Sequence, residues 1–234
     1  MSAPRFEILD YRESALGVLV LRRRELLSAP GTVVTEVTLD HEFLMSSHNT
    51  VSERELARRG LEFHGGGGLR VLVGGLGLGY TAHTAMNSSQ VAAVEVVELL
   101  PEVISWLARG LFPLADDLRE DPRVRVVQGD VFVRLMSSDF APDALFDVAL
   151  VDVDHSPHEL LAGRNAAFYG VEGLRRARER FTARGVLAIW SGAADDEFEA
   201  ALREVFDEVV VERVAWFNEL IDEQQHDVLF LARR

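Results

Sequence analysis

The chain contains no cysteine, and all 24 of its basic residues are arginine, so that it also contains no lysine. The absence of cysteine excludes disulfides and thiolate zinc sites. The absence of lysine excludes Schiff-base catalysis and a P-loop, because both depend on a lysine amine. The seven histidines show no metal-ligand spacing. We therefore expect no disulfide and no metal site in this protein.

Long hydrophobic runs are missing as well. No apolar stretch reaches the ~20 residues that a membrane-spanning helix needs. The segment at 1–10 is too acidic and too interrupted by polar residues for a signal peptide. These features predict a cytoplasmic protein that has no membrane partner.

Positive charge is scarce, because 24 basic residues face 38 acidic ones and give a net charge of −14. Duplex nucleic acid is bound by basic surfaces that neutralise phosphates, so we expect no nucleic-acid partner. An acidic surface attracts cationic substrates, although it could equally serve only to keep the protein in solution. The 48 % hydrophobic content over 234 residues is typical of a globular protein with a sizeable core.

The four glycines at 65–68 are the clearest joint in the chain, and they predict a small N-terminal β region at 1–64 and a larger domain at 65–234. Extended runs at 6–11, 17–24 and 32–47 follow one another without helices, which favours an antiparallel sheet. Ser52 as N-cap and Glu55 three residues later form the pattern of a capping box, which predicts a short helix to about Arg59.

Strands and helices alternate after the glycine joint. We predict strands at 69–73, 91–97, 124–127, 146–151 and 185–190, and helices at 80–87, 101–109, 131–136, 159–181 with a break at Gly170, and 195–206. Continuous apolar strands indicate a parallel sheet that helices cover on both faces. Two closing strands, at 209–214 and 227–231, leave little room for a helix between them. The fold class is therefore α/β, and the pattern fits a seven-stranded methyltransferase-type Rossmann fold with a small N-terminal antiparallel β region.

The glycine turn at 71–79 is the most informative stretch. Glycines at positions 75, 77 and 79 let the backbone turn from a strand into a helix and let a ligand approach without meeting a Cβ atom. Their G-x-G-x-G spacing differs from the G-x-G-x-x-G of dinucleotide-binding proteins and looks like motif I of S-adenosylmethionine enzymes. A turn that is only structural would show the same pattern.

Acidic residues stand at the ends of the three strands that follow this turn. They are Glu98, Asp130 and Asp152. Ligands in open α/β sheets bind beyond the carboxyl ends of the strands. Glu98 can accept both hydrogen bonds of a ribose diol. Asp130 either meets the adenine edge or caps the next helix. The combination is more specific for a nucleoside site than any one of these residues.

Several blocks together resemble the spermidine synthase family. They are Val71–Gly79, Val97–Ile104, Asp121–Asp130 and Phe146–Asp152, followed by Ala167–Tyr169 and Gly185–Ile189. The resemblance covers about 71–190, and the family also carries a small N-terminal β region. It implies that S-adenosylmethionine or its decarboxylated form is the donor, and that the protein is a homodimer or homotetramer. It assigns the donor site to Gly75, Gly77, Gly79, Glu98, Asp130 and Val131, and it makes Asp152 the catalytic aspartate at the acceptor amine.

The chain departs from the family pattern at the positions that select substrates. Leu78 stands where the family has an aspartate that holds the aminopropyl amine, and Leu100 replaces a second acid. The D-x-x-D pattern after the fourth strand of the Rossmann domain is shifted to Asp154 with His155 beside it. Ser52 and Glu53 lie where the family has a Tyr-His-Glu block. These departures predict a changed acceptor pocket.

The chemistry of group transfer gives these residues roles. A sulfonium donor is attacked in line by an unprotonated nucleophile, whereas an alkyl amine resembles lysine, with a pKa of ~10.4. Asp152 could orient the amine and accept its proton, Asp154 could contact the cation, and His155 could be an alternative base. Asp154 could instead cap a helix, and His155 could only hold the loop. Trp190 and Trp216 could line the acceptor pocket, whereas Trp106 fits helix packing.

Three functions remain open from the sequence. The first is transfer of an aminopropyl-type alkyl group to a small cationic amine or another small acceptor. The second is methyl transfer from S-adenosylmethionine to a small molecule, which the leucine at position 78 favours. The third is a non-catalytic scaffold that kept the fold, which the altered motifs favour. An NAD dehydrogenase fits less well because of the glycine spacing.

Overall fold

A four-stranded antiparallel sheet forms the N-terminal region. The computed structural model describes residues 6–138, 145–153, 157, 165–218 and 222–234. The sheet order is β1 (Phe6–Ser14), β2 (Gly17–Glu25), β3 (Val33–Leu39) and β4 (Glu42–Ser46). The third predicted run is therefore two strands. The chain reverses between them because Asp40 and His41 adopt positive φ angles of 48° and 75°.

Helix α1 (Val51–His64) follows this sheet and is longer than the sequence predicted. The predicted capping box at Ser52 and Glu55 is wrong. Thr50 is the N-cap, so Ser52 lies inside the first turn, and the helix ends at Gly65, which has a φ of 71°. The helix packs against the larger sheet of the protein. The proposed domain boundary between 64 and 65 stays a prediction.

The larger sheet has seven strands, and its mixed α/β architecture confirms the predicted fold class. The strands are β5 (Leu69–Gly74), β6 (Val91–Glu98), β7 (Val124–Gln128), β8 (Phe146–Val151), β9 (Phe181–Ser191), β10 (Glu208–Asn218) and β11 (Glu223–Arg233). Their spatial order is β7-β6-β5-β8-β9-β11-β10. The five strands β5 to β9 are parallel, whereas β11 runs antiparallel to β9 and forms the closing hairpin with β10.

Helices cover both faces of this sheet. They are α2 (Tyr80–Met86), α3 (Pro101–Ala108), α4 (Ala115–Glu120), α5 (Val131–Met136), α6 (Ala166–Tyr169), α7 (Val171–Arg178) and α8 (Asp196–Val205). The break at Gly170 between α6 and α7 is confirmed, and α4 was not predicted. Among the described residues, none of the helices combines the length and the apolarity that crossing a bilayer requires.

Two hydrophobic clusters lie on the opposite faces of the larger sheet. One contains α1, α2, α3 and the inner face of the N-terminal sheet, and the other contains α5, α7 and α8. Trp106 of α3 is fully buried in the first cluster, as expected for helix packing. Its indole N–H donates to Asp10 Oδ2 at 2.8 Å, which fixes the N-terminal sheet to the α3 side of the larger sheet.

Candidate active site

The carboxyl ends of four neighbouring strands meet at one edge of the sheet. From β5 the chain continues to β6 on one side, while β8 lies on the other side, so that the strand order reverses at β5. Ligands in open α/β sheets bind at such a switch point. A cavity of about 840 Å³ opens there. The predicted residues that line it are Gly75, Gly77, Gly79, Glu98, Asp130, Val131 and Asp152.

The glycine turn between β5 and α2 requires its glycines. Gly75, Gly77 and Gly79 have φ angles of 88°, 52° and 89°, which L side chains rarely adopt. A Cβ atom on Gly75 would lie 2.6 Å from the carbonyl oxygen of Asp152. The turn therefore lets the ends of β5 and β8 approach each other, while the same glycines leave the cavity wall without side chains.

Glu98 at the end of β6 is 7 % exposed and holds the glycine turn in place. Its two oxygens accept hydrogen bonds from the amides of Leu76 and Leu100, both at 2.8 Å. Burial raises the pKa of Glu98, and the surrounding backbone amides partly oppose that rise. The predicted contact of Glu98 with ribose stays a prediction, because the carboxylate already binds this backbone.

Asp130 is the N-cap of α5. Its Oδ1 accepts hydrogen bonds from the amides of Phe132 at 2.9 Å and Val133 at 3.3 Å. The capping role that the sequence left open is therefore confirmed. Asp130 and Val131 both line the cavity. The contact of Asp130 with adenine and the place of Val131 in the donor site stay predictions.

Three carboxylic acids form a second group on the wall of the same cavity. Asp152 follows β8, Glu53 lies in the first turn of α1, and Asp227 lies on β11. Oδ2 of Asp227 accepts the hydroxyl hydrogen of Ser52 and, at 3.0 Å, the indole N–H of Trp216. The sequence did not identify Asp227, because an acid at the start of the strand predicted at 227–231 carries no signal of its own.

The pKa values of Asp152 and Glu53 are both raised. Burial raises the pKa of Asp152 to about 6, with the Asp227 charge adding to the rise and the nearby Thr81 hydroxyl opposing it. Burial raises the pKa of Glu53 to about 8, with the charges of Asp152 and Asp227 adding to it. Glu53 therefore keeps its proton near neutral pH, whereas Asp152 is largely ionised there. A carboxylate at this place can bind a cation and accept a proton from an amine.

The remaining predicted residues divide into two sets. Asp154 and His155 lie outside the described residues. Trp190 and Trp216 both line the cavity, which places them where an acceptor pocket was predicted. Leu78, the residue in place of the family's aspartate, is 4 % exposed and also lines the cavity.

Within the ranges that the structure describes, no three His, Asp or Glu side chains are grouped to hold a metal ion.

The strand order and the strand-end cavity define a methyltransferase-type Rossmann fold. The particular form of it, with an antiparallel sheet before the Rossmann unit, is the fold of the solved spermidine synthases. Spermidine synthase in complex with the transition-state analogue AdoDATO matches with a TM-score of 0.74 and 19 % identity, over 97 % of this chain and 73 % of that one. The resemblance predicted from the sequence is confirmed at the level of the fold.

Two further solved structures show the same fold. Spermidine synthase from Thermotoga maritima has a TM-score of 0.71 and 16 % identity, over 97 % of this chain and 72 % of that one. A probable spermidine synthase from Corynebacterium glutamicum has a TM-score of 0.67 and 18 % identity, over 97 % and 80 %. No protein-family model and no curated protein matches the sequence. At these identities the comparisons establish the fold, and the site residues must support the function.

Proposed function

We propose that the protein is a transferase that moves an aminopropyl-type alkyl group from an S-adenosylmethionine-derived sulfonium to an amine. The observation that carries this proposal is a single cavity lined by two unlike groups of residues. One group is the glycine turn, Glu98 and Asp130, and the other is Asp152, Glu53 and Asp227. The first group suits an adenosyl group, and the second suits a cationic acceptor. A similarly folded spermidine synthase binds an analogue of its transition state, which supports an adenosyl donor.

The proposed reaction is an in-line displacement. The lone pair of the acceptor nitrogen attacks the carbon next to the sulfonium, the C–S bond breaks, and its electron pair stays on sulfur as a thioether. The amine must lose a proton, and Asp152 in its carboxylate form accepts it. The raised pKa of Asp152 brings it closer to the amine's pKa and so favours that proton transfer. Glu53 and Asp227 hold the cation in line.

Methyl transfer from S-adenosylmethionine is a second candidate, and Leu78 favours it. This buried leucine lies in the glycine turn and lines the cavity, so the turn itself supplies no carboxylate for the amine of a decarboxylated donor. The same carboxylates would hold the acceptor in either reaction.

The two reactions are separated by the mass of the product. The purified protein is incubated with S-adenosylmethionine or its decarboxylated form and a mixture of amines, and products are identified by mass spectrometry. An aminopropylated amine from the decarboxylated donor supports the proposal. A methylated product formed only with S-adenosylmethionine establishes the second candidate instead. Failure to form either product, together with failure to bind adenosyl ligands, would leave the scaffold hypothesis.

A further inference from the structure

Exposed apolar residues surround the opening of the cavity. Phe43 of β4 is 59 % exposed, Val51 at the start of α1 is 41 % exposed, and Phe217 of β10 is 54 % exposed. All three line the cavity, although they come from three distant segments of the chain. We call these three residues the apolar rim. Large apolar side chains on a surface that borders a cavity indicate contact with an apolar part of a ligand.

Further apolar side chains line the same cavity. They include Leu44, Met45, Trp190 and Trp216. Asp152 and Asp227 line the cavity as well and supply its negative charge, with Glu53 beside them. Ligand pockets commonly combine apolar walls with a few charged groups that fix orientation. The acids and the apolar side chains that line this one cavity complement a molecule that has a cationic nitrogen and an apolar group.

We propose that the acceptor is an amine that carries an apolar alkyl or aryl group, rather than a linear diamine. The cationic nitrogen lies among Asp152, Glu53 and Asp227, and the apolar group lies against Phe43, Val51 and Phe217. A short diamine would place a second charge against the rim and leave the apolar side chains in water, which is the less favourable arrangement. This inference rests on the proposed function, because it identifies the substrate class of the same site.

Direct binding of primary alkylamines tests the inference. Calorimetry with butylamine, hexylamine and octylamine is compared with binding of 1,4-diaminobutane. Burial of each methylene group is expected to lower Kd by about fourfold. The Phe43→Ser and Phe217→Ser variants are expected to flatten this dependence on chain length. Phe6→Ser is the matched control, because Phe6 is 55 % exposed on β1 but does not line the cavity.

The outcomes separate this inference from the proposed function. Methylthioadenosine binding reports the donor end and is expected to be unchanged in all three variants. If the donor ligand binds but the alkylamines show no dependence on length, or 1,4-diaminobutane binds more tightly than octylamine, the inference is overturned and the proposed function stands. An equal loss in Phe6→Ser would also overturn it. If the donor ligand does not bind, the proposed function fails whatever the alkylamines do.

Discussion

Ser52 in the first turn of α1 donates its hydroxyl hydrogen to Asp227 on β11, 175 residues further along the chain. The same carboxylate oxygen accepts the indole N–H of Trp216 at 3.0 Å. These two donors fix Asp227 beside Asp152 and Glu53, whose pKa values its charge raises. The acceptor end of the cavity is thus assembled from the first helix and the closing hairpin.

Replacement of this fixed carboxylate tests its role. Asp227→Asn keeps an oxygen for the two donors and removes the charge, so acceptor affinity should fall by about tenfold. The pKa values of Asp152 and Glu53 should fall as well, so that acceptor binding shifts to lower pH. Titration of amine binding between pH 5 and pH 9 measures both effects. Glu223→Gln, an exposed site on the same strand, should change neither, and an unchanged pH dependence in Asp227→Asn would contradict the assignment.

Asp152→Asn should remove proton acceptance without removing donor binding. We expect kcat to fall by about 10²- to 10⁴-fold, because an amide cannot act as the base. The rate of the unchanged protein should rise with pH through about 6, where burial places the pKa of Asp152, and the variant should lack this acidic limb. Steady-state rates across pH provide the measurement. A variant that keeps its rate, or keeps the limb, would exclude Asp152 as the base.

The half-buried acid Glu53 should make the protein less stable as the pH rises. Its pKa is about 8 when folded, against an ordinary value of 4.5, so between these pH values the folded state holds a proton that the unfolded state releases. Stability therefore falls with rising pH over this window. The Glu53→Gln variant has no proton to lose. Its free energy of unfolding should exceed that of the unchanged protein by about 1 to 2 kcal/mol at pH 8 and by almost nothing at pH 4. The value at pH 8 is reduced to allow for the part of the raised Glu53 pKa that comes from the charge of Asp152.

Urea denaturation at pH 4, 6 and 8 measures this difference. Glu62→Gln is the control on the same helix, because Glu62 is exposed and only forms a surface ion pair with Arg58. Its removal should change stability by less than about 1 kcal/mol. If Glu53→Gln were less stable than the unchanged protein at pH 8, the ionised Glu53 would have to stabilise the fold. That result would contradict the raised pKa of Glu53 beside Asp152 and Asp227.

Gly75 should tolerate no side chain. The Gly75→Ala variant combines a φ of 88° with a Cβ atom 2.6 Å from the carbonyl oxygen of Asp152, so we expect a loss of about 2 to 4 kcal/mol in stability and loss of adenosyl binding. Gly68→Ala has a similar φ of 70° but open space around the new Cβ atom. Thermal unfolding of the two variants separates the stability lost through the positive φ angle from that lost through the clash of the Cβ atom. Equal losses of stability in the two variants would show that the close approach of β5 and β8 is unimportant.

Most of the larger sheet could be predicted because its strands are continuous apolar runs between glycines and acids. Strand β8 has the predicted bounds, and the break at Gly170 follows from a helix breaker. Helix α4 was missed because a single turn with the sequence ADDLRE has no apolar periodicity. The hairpin between β3 and β4 was missed because Asp40 and His41 adopt positive φ without a glycine.

The donor end of the site could be predicted, whereas the acceptor end could be predicted only in part. Glycines and acids that follow consecutive strands meet by the rule of strand ends, so Glu98, Asp130 and Asp152 were expected together. Asp227 faces the cavity because β11 inserts between β9 and β10 in the sheet, and a sequence pattern does not show such an insertion. Ser52 looked like an N-cap, but its hydroxyl binds Asp227 instead.

Calorimetric titration with methylthioadenosine tests the central claim, which is that an adenosyl group lies against the glycine turn and Glu98. We predict binding with a Kd on the order of 10 μM. Glu98→Gln should weaken it by about tenfold or more, while Glu95→Gln, on the same strand but outside the cavity, should not. Absence of binding at millimolar ligand by a folded protein, or equal effects of the two variants, would contradict the account.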